Sequence, residues 1–165
     1  MNNAELNEKF KSGWIKLRFK PKWITKSIEK ECIEFAQDLA ISLCGKVFLD
    51  KKSRTLRYKN YVGGDSMTTN QIRNYFNEVR RIEQLDRNER KTPFLLLKPK
   101  LAYAVAKEKN HSKIKEFKEV MDLAYDALVY SESEDKYGNI FQNYVDFLEA
   151  ILAYHKSEGG KDKKY

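Results

Sequence analysis

The stretch Thr68-Thr69-Asn70-Gln71-Ile72-Arg73-Asn74-Tyr75-Phe76-Asn77-Glu78-Val79-Arg80-Arg81-Ile82-Glu83 narrows the choice of local structure more than any other part of the chain. Thr68 and Gln71 have the spacing of a capping box, in which side chain and backbone satisfy each other's orphan donors. Met67 and Ile72 stand where a hydrophobic staple would fix the approach to a helix. Ile72, Tyr75, Phe76, Val79, Ile82 and Glu83 then keep the three-four spacing of one buried face, interrupted only by the glutamate. At about 100° per residue, Arg73, Asn77, Arg80, Gln84 and Arg87 share a polar flank beside that face. Guanidiniums and amides repeated at helical rise suit a phosphate backbone better than a catalytic pocket. The segment reads as an amphipathic helix facing RNA.

The helical period recurs along the chain. A first long helix is expected from about Lys26 to Cys44, capped by Thr25 or Ser27 and stopped by Gly45. Ile28, Ile33, Phe35, Ala36, Leu39, Ala40 and Leu43 form its inner side. The helix that opens at Thr68 is expected to end near Arg87 to Arg90. In Pro93–Lys107, Pro99 either starts a helix at its first position or kinks one begun near Pro93. If Pro99 starts it, the helix N-terminus lies between Lys98 and Lys100 and favours phosphate. A fourth helix is expected over about Ser112 to Tyr130 and a fifth over about Tyr137 to Lys156, with Gly159-Gly160 as its stop. Seven glycines and three prolines are too few for the turns of a β-sandwich or barrel. The expected fold is all-α, a compact bundle of about five helices with one longer basic loop. Residues 1–24 are expected as an N-terminal arm, 25–157 as the helical domain and 158–165 as a flexible tail.

Two segments break the period. The first dozen residues are polar and expected to fray. Trp14, Ile15, Leu17, Phe19, Trp23 and Ile24 alternate with Lys16, Arg18, Lys20 and Lys22. This segment reads as an irregular arm packing its tryptophans on the core; stacking on bases is the alternative. Residues 46–66 carry Lys46, Lys51, Lys52, Arg54, Arg57 and Lys59 against Asp50 and Asp65. Val47-Phe48-Leu49 and Leu56-Arg57-Tyr58 could pair there as a small hairpin. A nucleic-acid contact through Arg54 and Arg57 and a plain solvated surface are equally good readings of this loop.

Charge is uneven. Residues 1–111 hold 24 Lys/Arg against 13 Asp/Glu, whereas residues 112–158 hold 5 against 10. A basic majority beside an acidic end suggests one surface for a polyanion and another for a basic protein. No segment approaches the roughly 20 apolar residues of a membrane span, and the polar start lacks the apolar core of a secretion signal. A cytoplasmic location is the simplest expectation. Cys32 and Cys44 fall on one predicted helix, about 18 Å apart at helical rise, which excludes a disulfide between them. His111 and His155 lack metal-ligand spacing and a neighbouring cysteine cluster. His155, on the inner edge of the last helix, reads as a hydrogen-bonded core residue. Gly63-Gly64 lacks the Gly-Lys-Ser/Thr ending of a phosphate loop, and no nucleophile elbow occurs. Neither an enzyme nor a cofactor is expected.

Three segments in order resemble the small subunit of type III-A (Csm-type) CRISPR effector complexes. They are Thr68 to Phe76, then Leu96-Leu97-Lys98-Pro99-Lys100-Leu101-Ala102-Tyr103-Ala104, then the helix Phe141 to Lys156. Trp23-Ile24 and Ile33 to Leu43 also look like that family's first helix, so the resemblance covers most of residues 23–156. It implies a small helical subunit without catalytic residues or cofactor. Copies of such a subunit stack beside one another, next to the large subunit and the backbone subunits. They contact the guide RNA and the target RNA paired to it through basic side chains. Carried onto this chain, the motifs suggest Arg73, Lys98 and Lys100 as RNA contacts; Arg80, Arg81, Arg87 and Lys107 come from the helical reading. Asn70 replaces a common serine, and Ala106-Lys107 replaces a common Gly-Arg, which keeps the charge without the planar fork. The loop 46–66 is longer than the family's usual link. The competing reading is an interaction module that docks a basic partner through Glu132, Glu134 and Asp135.

Overall fold

The computed structural model describes residues 1–109 and 112–163; His111, one of the two histidines weighed above, lies outside them. The chain is mainly helical with one small hairpin, in more and shorter pieces than five helices. In order come α1 (Asn3–Lys9), α2 (Trp14–Arg18), α3 (Lys22–Thr25), α4 (Lys30–Leu43), β1 (Val47–Leu49), β2 (Leu56–Tyr58) and α5 (Thr69–Glu83). These are followed by α6 (Lys91–Leu95), α7 (Leu97–Lys107), α8 (Ser112–Val129) and α9 (Phe141–Ser157).

The N-terminal residues are neither frayed nor irregular. Asn2 and Glu5 form a reciprocal capping box that starts α1, and Leu6 and Phe10 are buried. The aromatic segment that alternated with lysines is helical in α2 and α3. Trp14, Phe19 and Trp23 are buried against Phe35 of α4, with ring centroids 5.4, 6.2 and 5.5 Å from it. Burial of these large rings outweighs the local alternation, and it removes them from any stacking on bases. Asp38 of α4 locks the arrangement: Arg18 donates to its carboxylate at 2.7 Å and Lys9 at 3.4 Å.

α4 starts at Lys30, not Lys26, and neither Thr25 nor Ser27 caps it; its N-cap is Glu29, without a side-chain bond. It ends as expected, with Gly45 in the left-handed region at φ +72°. α9 is the central helix, packing on α3, α4, α5 and α8. Phe141, Tyr144, Val145, Phe147, Leu148, Ile151 and His155 are buried along it. A π-helical turn, Lys136–Ile140, precedes it and replaces the first turn of the expected fifth helix.

The capping box of α5 is present: Gln71 N–H bonds Thr68 Oγ1 at 3.2 Å, and Thr68 N–H bonds Gln71 Oε1 at 2.8 Å. Met67 and Ile72, at the staple positions, are both buried. The helix ends at Glu83, earlier than expected. The Arg90 guanidinium stops it, donating to the carbonyls of Glu83 (2.7 Å), Leu85 (2.9 Å) and Tyr137 (2.9 Å). Of the three prolines, Pro93 stands third in α6 and Pro99 third in α7. α6 and α7 are parted by Leu96 alone, and Pro99 has no N–H to offer the Leu95 carbonyl, which accepts from the Tyr125 hydroxyl at 3.4 Å instead. Pro99 therefore does not start a helix; it breaks the one begun near Pro93, the second of the two expected alternatives.

Candidate nucleic-acid interface

The amphipathic geometry of α5 turns Ile72, Val79 and Ile82 inward and leaves Arg73, Asn77, Arg80, Arg81 and Gln84 exposed. Arg73 and Arg80 are two turns apart, about 10 Å at helical rise. Each exposed arginine rests on a carboxylate or amide. Arg73 donates to Asn70 Oδ1 at 2.8 Å and lies 3.9 Å from Asp162. Arg80 pairs with Glu83. Arg81 holds Glu78 with two bonds, at 2.9 and 3.1 Å.

α7 runs beside α5, and Lys100 reaches the same Glu78 at 2.6 Å. The Arg81 guanidinium, and then the Lys100 ammonium, push the Glu78 carboxyl down to about 2. Arg81 and Lys100, twenty residues apart in sequence, are thus joined at one anion. Between these helices lies a cleft of about 340 Å³ whose walls include Met67, Tyr75, Leu97 and Leu101. Lys107, two turns beyond Lys100 on α7, lies over the exposed ring of Tyr103 at 4.5 Å.

Other expected contacts are not gathered there. Lys98, two residues from Lys100, turns to α8, donating to Asp126 at 3.0 Å over the Tyr125 ring. The hydrogen bond to Asp126 holds its ammonium above the ordinary lysine range. A phosphate site between Lys98 and Lys100 is therefore not formed: the two ammoniums serve different helices, and α6 runs directly into α7. Arg87 lies beyond α5, 3.0 Å from Asp135. Arg54 and Arg57 are exposed on the hairpin, Arg57 standing 3.7 Å from Asp50.

Residues that the sequence reading passed over hold the frame. Arg90, seven residues past the end of α5, reads in sequence like any surface arginine, yet it binds three carbonyls. Lys46, grouped with the basic loop, is buried and pairs with Glu158 at 3.1 Å, so it is not available to a ligand. His155 is the buried, hydrogen-bonded residue expected of it. Cys32 and Cys44 are buried free thiols, pushed up by burial to about 12 and about 11. Among the described residues no group of three His, Cys, Asp or Glu is placed to hold a metal ion, and no helix is long and apolar enough to cross a membrane.

Helical architecture with a guanidinium-lined surface defines a class of basic, mainly helical proteins. Within that class, the model of the family described as Csm2 Type III-A matches residues 49–161, more than half of the chain. The chain belongs to that family, the small subunit of type III-A CRISPR complexes, and so associates with the subunits of such an effector. No curated protein and no solved structure matches it.

Proposed function

We propose that this chain is a non-catalytic RNA-contacting subunit. In this reading it meets the guide RNA and the target RNA paired to it through the exposed cations of α5 and α7. It sits beside the large subunit, the backbone subunits and neighbouring copies of itself, in the cytoplasm. The observation that carries the reading is the exposed set Arg73, Arg80 and Arg81 along α5, with Lys100 of α7 meeting Arg81 at Glu78. Exposed ion pairs contribute only about 0–1 kcal/mol, so phosphates can take these cations over at little cost. Such contacts are indifferent to sequence, as a subunit requires when base pairing between guide and target already selects the target. Arg87, Lys98, Lys107, Arg54 and Arg57 are secondary candidates.

The first test is to purify the tagged protein gently from its host and sequence the RNA that accompanies it. Short guides sharing one repeat-derived 5′ end, with stoichiometric partner proteins, are expected. The second is Arg73→Glu with Arg80→Glu in the purified protein. Weaker RNA binding with a shallower salt dependence is expected, and unchanged affinity in a folded double variant overturns the arginine surface.

An acidic docking surface is a second, compatible reading. Glu132 and Glu134 are exposed beside Tyr130, which is 80% exposed at the end of α8. Asp135, by contrast, faces Arg87. Loss of a basic partner on changing Glu132 and Glu134 to lysine is the expected outcome.

A further inference from the structure

The hairpin β1–β2 differs from the α5–α7 surface in one respect: apart from Arg57, which stands by Asp50, the cations of its tip are not neutralised. Lys51, Lys52 and Arg54 are exposed at the tip, and among the described residues none has a carboxylate partner. The nearest acid, Asp50, is committed to the turn, accepting from the N–H groups of Lys52 (2.8 Å) and Ser53 (3.2 Å). The Arg54 N–H donates to the Asp50 carbonyl at 2.7 Å, closing the tip with Arg54 at φ +53°. Glycine or asparagine would occupy that left-handed position with less strain. An arginine there keeps an exposed cation in the turn at a cost in backbone energy.

The antiparallel register sets Phe48 opposite Arg57, and the period of two carries Lys59, one residue past β2, to that same side. The Lys59 ammonium lies 4.1 Å from the Phe48 ring centroid and 5.3 Å from that of Tyr61. Tyr61 is nevertheless 67% exposed. A bared ring with Lys59 at the foot of the hairpin, and cations at its tip roughly 20 Å away at strand rise, match an extended ligand with repeated charge and flat faces. Strands of three residues offer too short an edge for a peptide to add to. An RNA duplex buries its base faces within its own stack, so only unpaired nucleotides can use the ring.

We propose that the hairpin is a separate contact for unpaired RNA nucleotides, with a base stacked on Tyr61 at its foot and phosphates several nucleotides along the same strand on Lys51, Lys52 and Arg54 at its tip. This rests on the reading of the chain as an RNA-binding subunit, and adds to it a preference for single strands at a defined place.

The test is fluorescence anisotropy on the full chain with two probes, a labelled oligouridine and a labelled RNA duplex of equal length. Tyr61→Ala is expected to weaken oligouridine binding about tenfold and to leave the duplex unchanged, while Tyr61→Phe restores the affinity. Replacing Lys51 and Lys52 with glutamine and Arg54 with asparagine, which tolerates positive φ, is expected to reduce the slope of log affinity against log salt by about 2. If these variants bind both probes like the native protein while Arg73→Glu with Arg80→Glu does not, the hairpin proposal fails and the helical RNA surface stands. If the native protein binds neither probe, both fail. If the hairpin variants keep RNA but lose an acidic protein partner, the hairpin is a protein-docking element and the proposal is overturned.

Discussion

Nε2 of His155, near the end of α9, lies 2.9 Å from the carbonyl oxygen of Met67, the residue that introduces α5. A carbonyl only accepts, so Nε2 carries the proton. Nδ1, 3.1 Å from Thr69 Oγ1, is then the acceptor of the threonine hydroxyl. One buried ring therefore fixes the distance between the central helix and the start of the arginine-bearing helix. The Thr69 N–H also donates to the Lys161 carbonyl at 2.8 Å. The stretch just after α9, expected to be loose, is tied to α5 as well.

His155→Ala is expected to cost about 2–4 kcal/mol, from the void and from the two polar groups left buried without a partner. Burial holds the imidazole below its ordinary value of 6.5. The unfolded chain therefore takes up the proton first. Stability is full above about pH 6.5 and falls as pH drops below it, because the unfolded state binds more protons there. Urea midpoints between pH 5 and 8 (range chosen around that value) should show this decline in the native protein and not in the alanine variant.

Gly160 lies against the same ring. A Cβ there would stand 2.2 Å from His155 Nδ1 and 2.6 Å from the His155 carbonyl oxygen. The ring is pinned at both nitrogens and cannot swing away. Gly160→Ala is expected to destabilise by about 1–3 kcal/mol. Gly64→Ala, where a Cβ meets nothing within 4 Å, should be neutral or slightly stabilising. Thermal melts of the two variants check the contrast.

Local signals proved the legible ones. The capping box at Thr68 and Gln71, the stop at Gly45 and the pairing of Val47–Leu49 with Leu56–Tyr58 all depend on neighbours a few residues apart, and all are present. The N-terminal aromatics misled because their alternation is a local pattern, whereas their burial depends on Phe35 of α4 and, for Phe19, on Phe147 of α9. α5 ends early for a similar reason: Arg90 binds carbonyls on both sides of a tertiary contact that no spacing announces. At the candidate interface, helical period foretold which arginines are exposed. It could not foretell that Glu78 joins Arg81 to Lys100, nor that Lys98 turns away to Asp126.

Asp38 is buried at the meeting of three helices, and its two cations come from α1 and α2. Asp38→Asn keeps the shape and removes the charge. Arg18 Nη1 is already buried without a hydrogen-bond partner, so the guanidinium would be left with less compensation still. A loss of about 2 kcal/mol is expected, below the figure for a fully buried pair because Arg18 is partly exposed. Limited proteolysis should then cut first within residues 1–25, whereas in the native protein those helices are protected.

Glu78 links stability to RNA binding. Its carboxyl sits at about 2, held down by Arg81 and Lys100, against an ordinary value of 4.5. A depressed folded value means that the stabilisation is complete above about pH 4.5 and is lost as pH falls through about 2. Glu78→Gln should therefore lower stability at neutral pH by about 1 kcal/mol, a modest figure because the site is partly wet. The difference from the native protein should shrink steadily as the pH is taken from 5 towards 2 (the window set by those two values). RNA affinity should move the other way. The glutamine no longer competes with phosphate for two cations, so binding is expected to tighten severalfold, with a steeper salt dependence. Anisotropy titrations at several salt concentrations measure both. Weaker binding in a folded Glu78→Gln variant would mean that the carboxylate orients Arg81 and Lys100 for the RNA and does not compete with it.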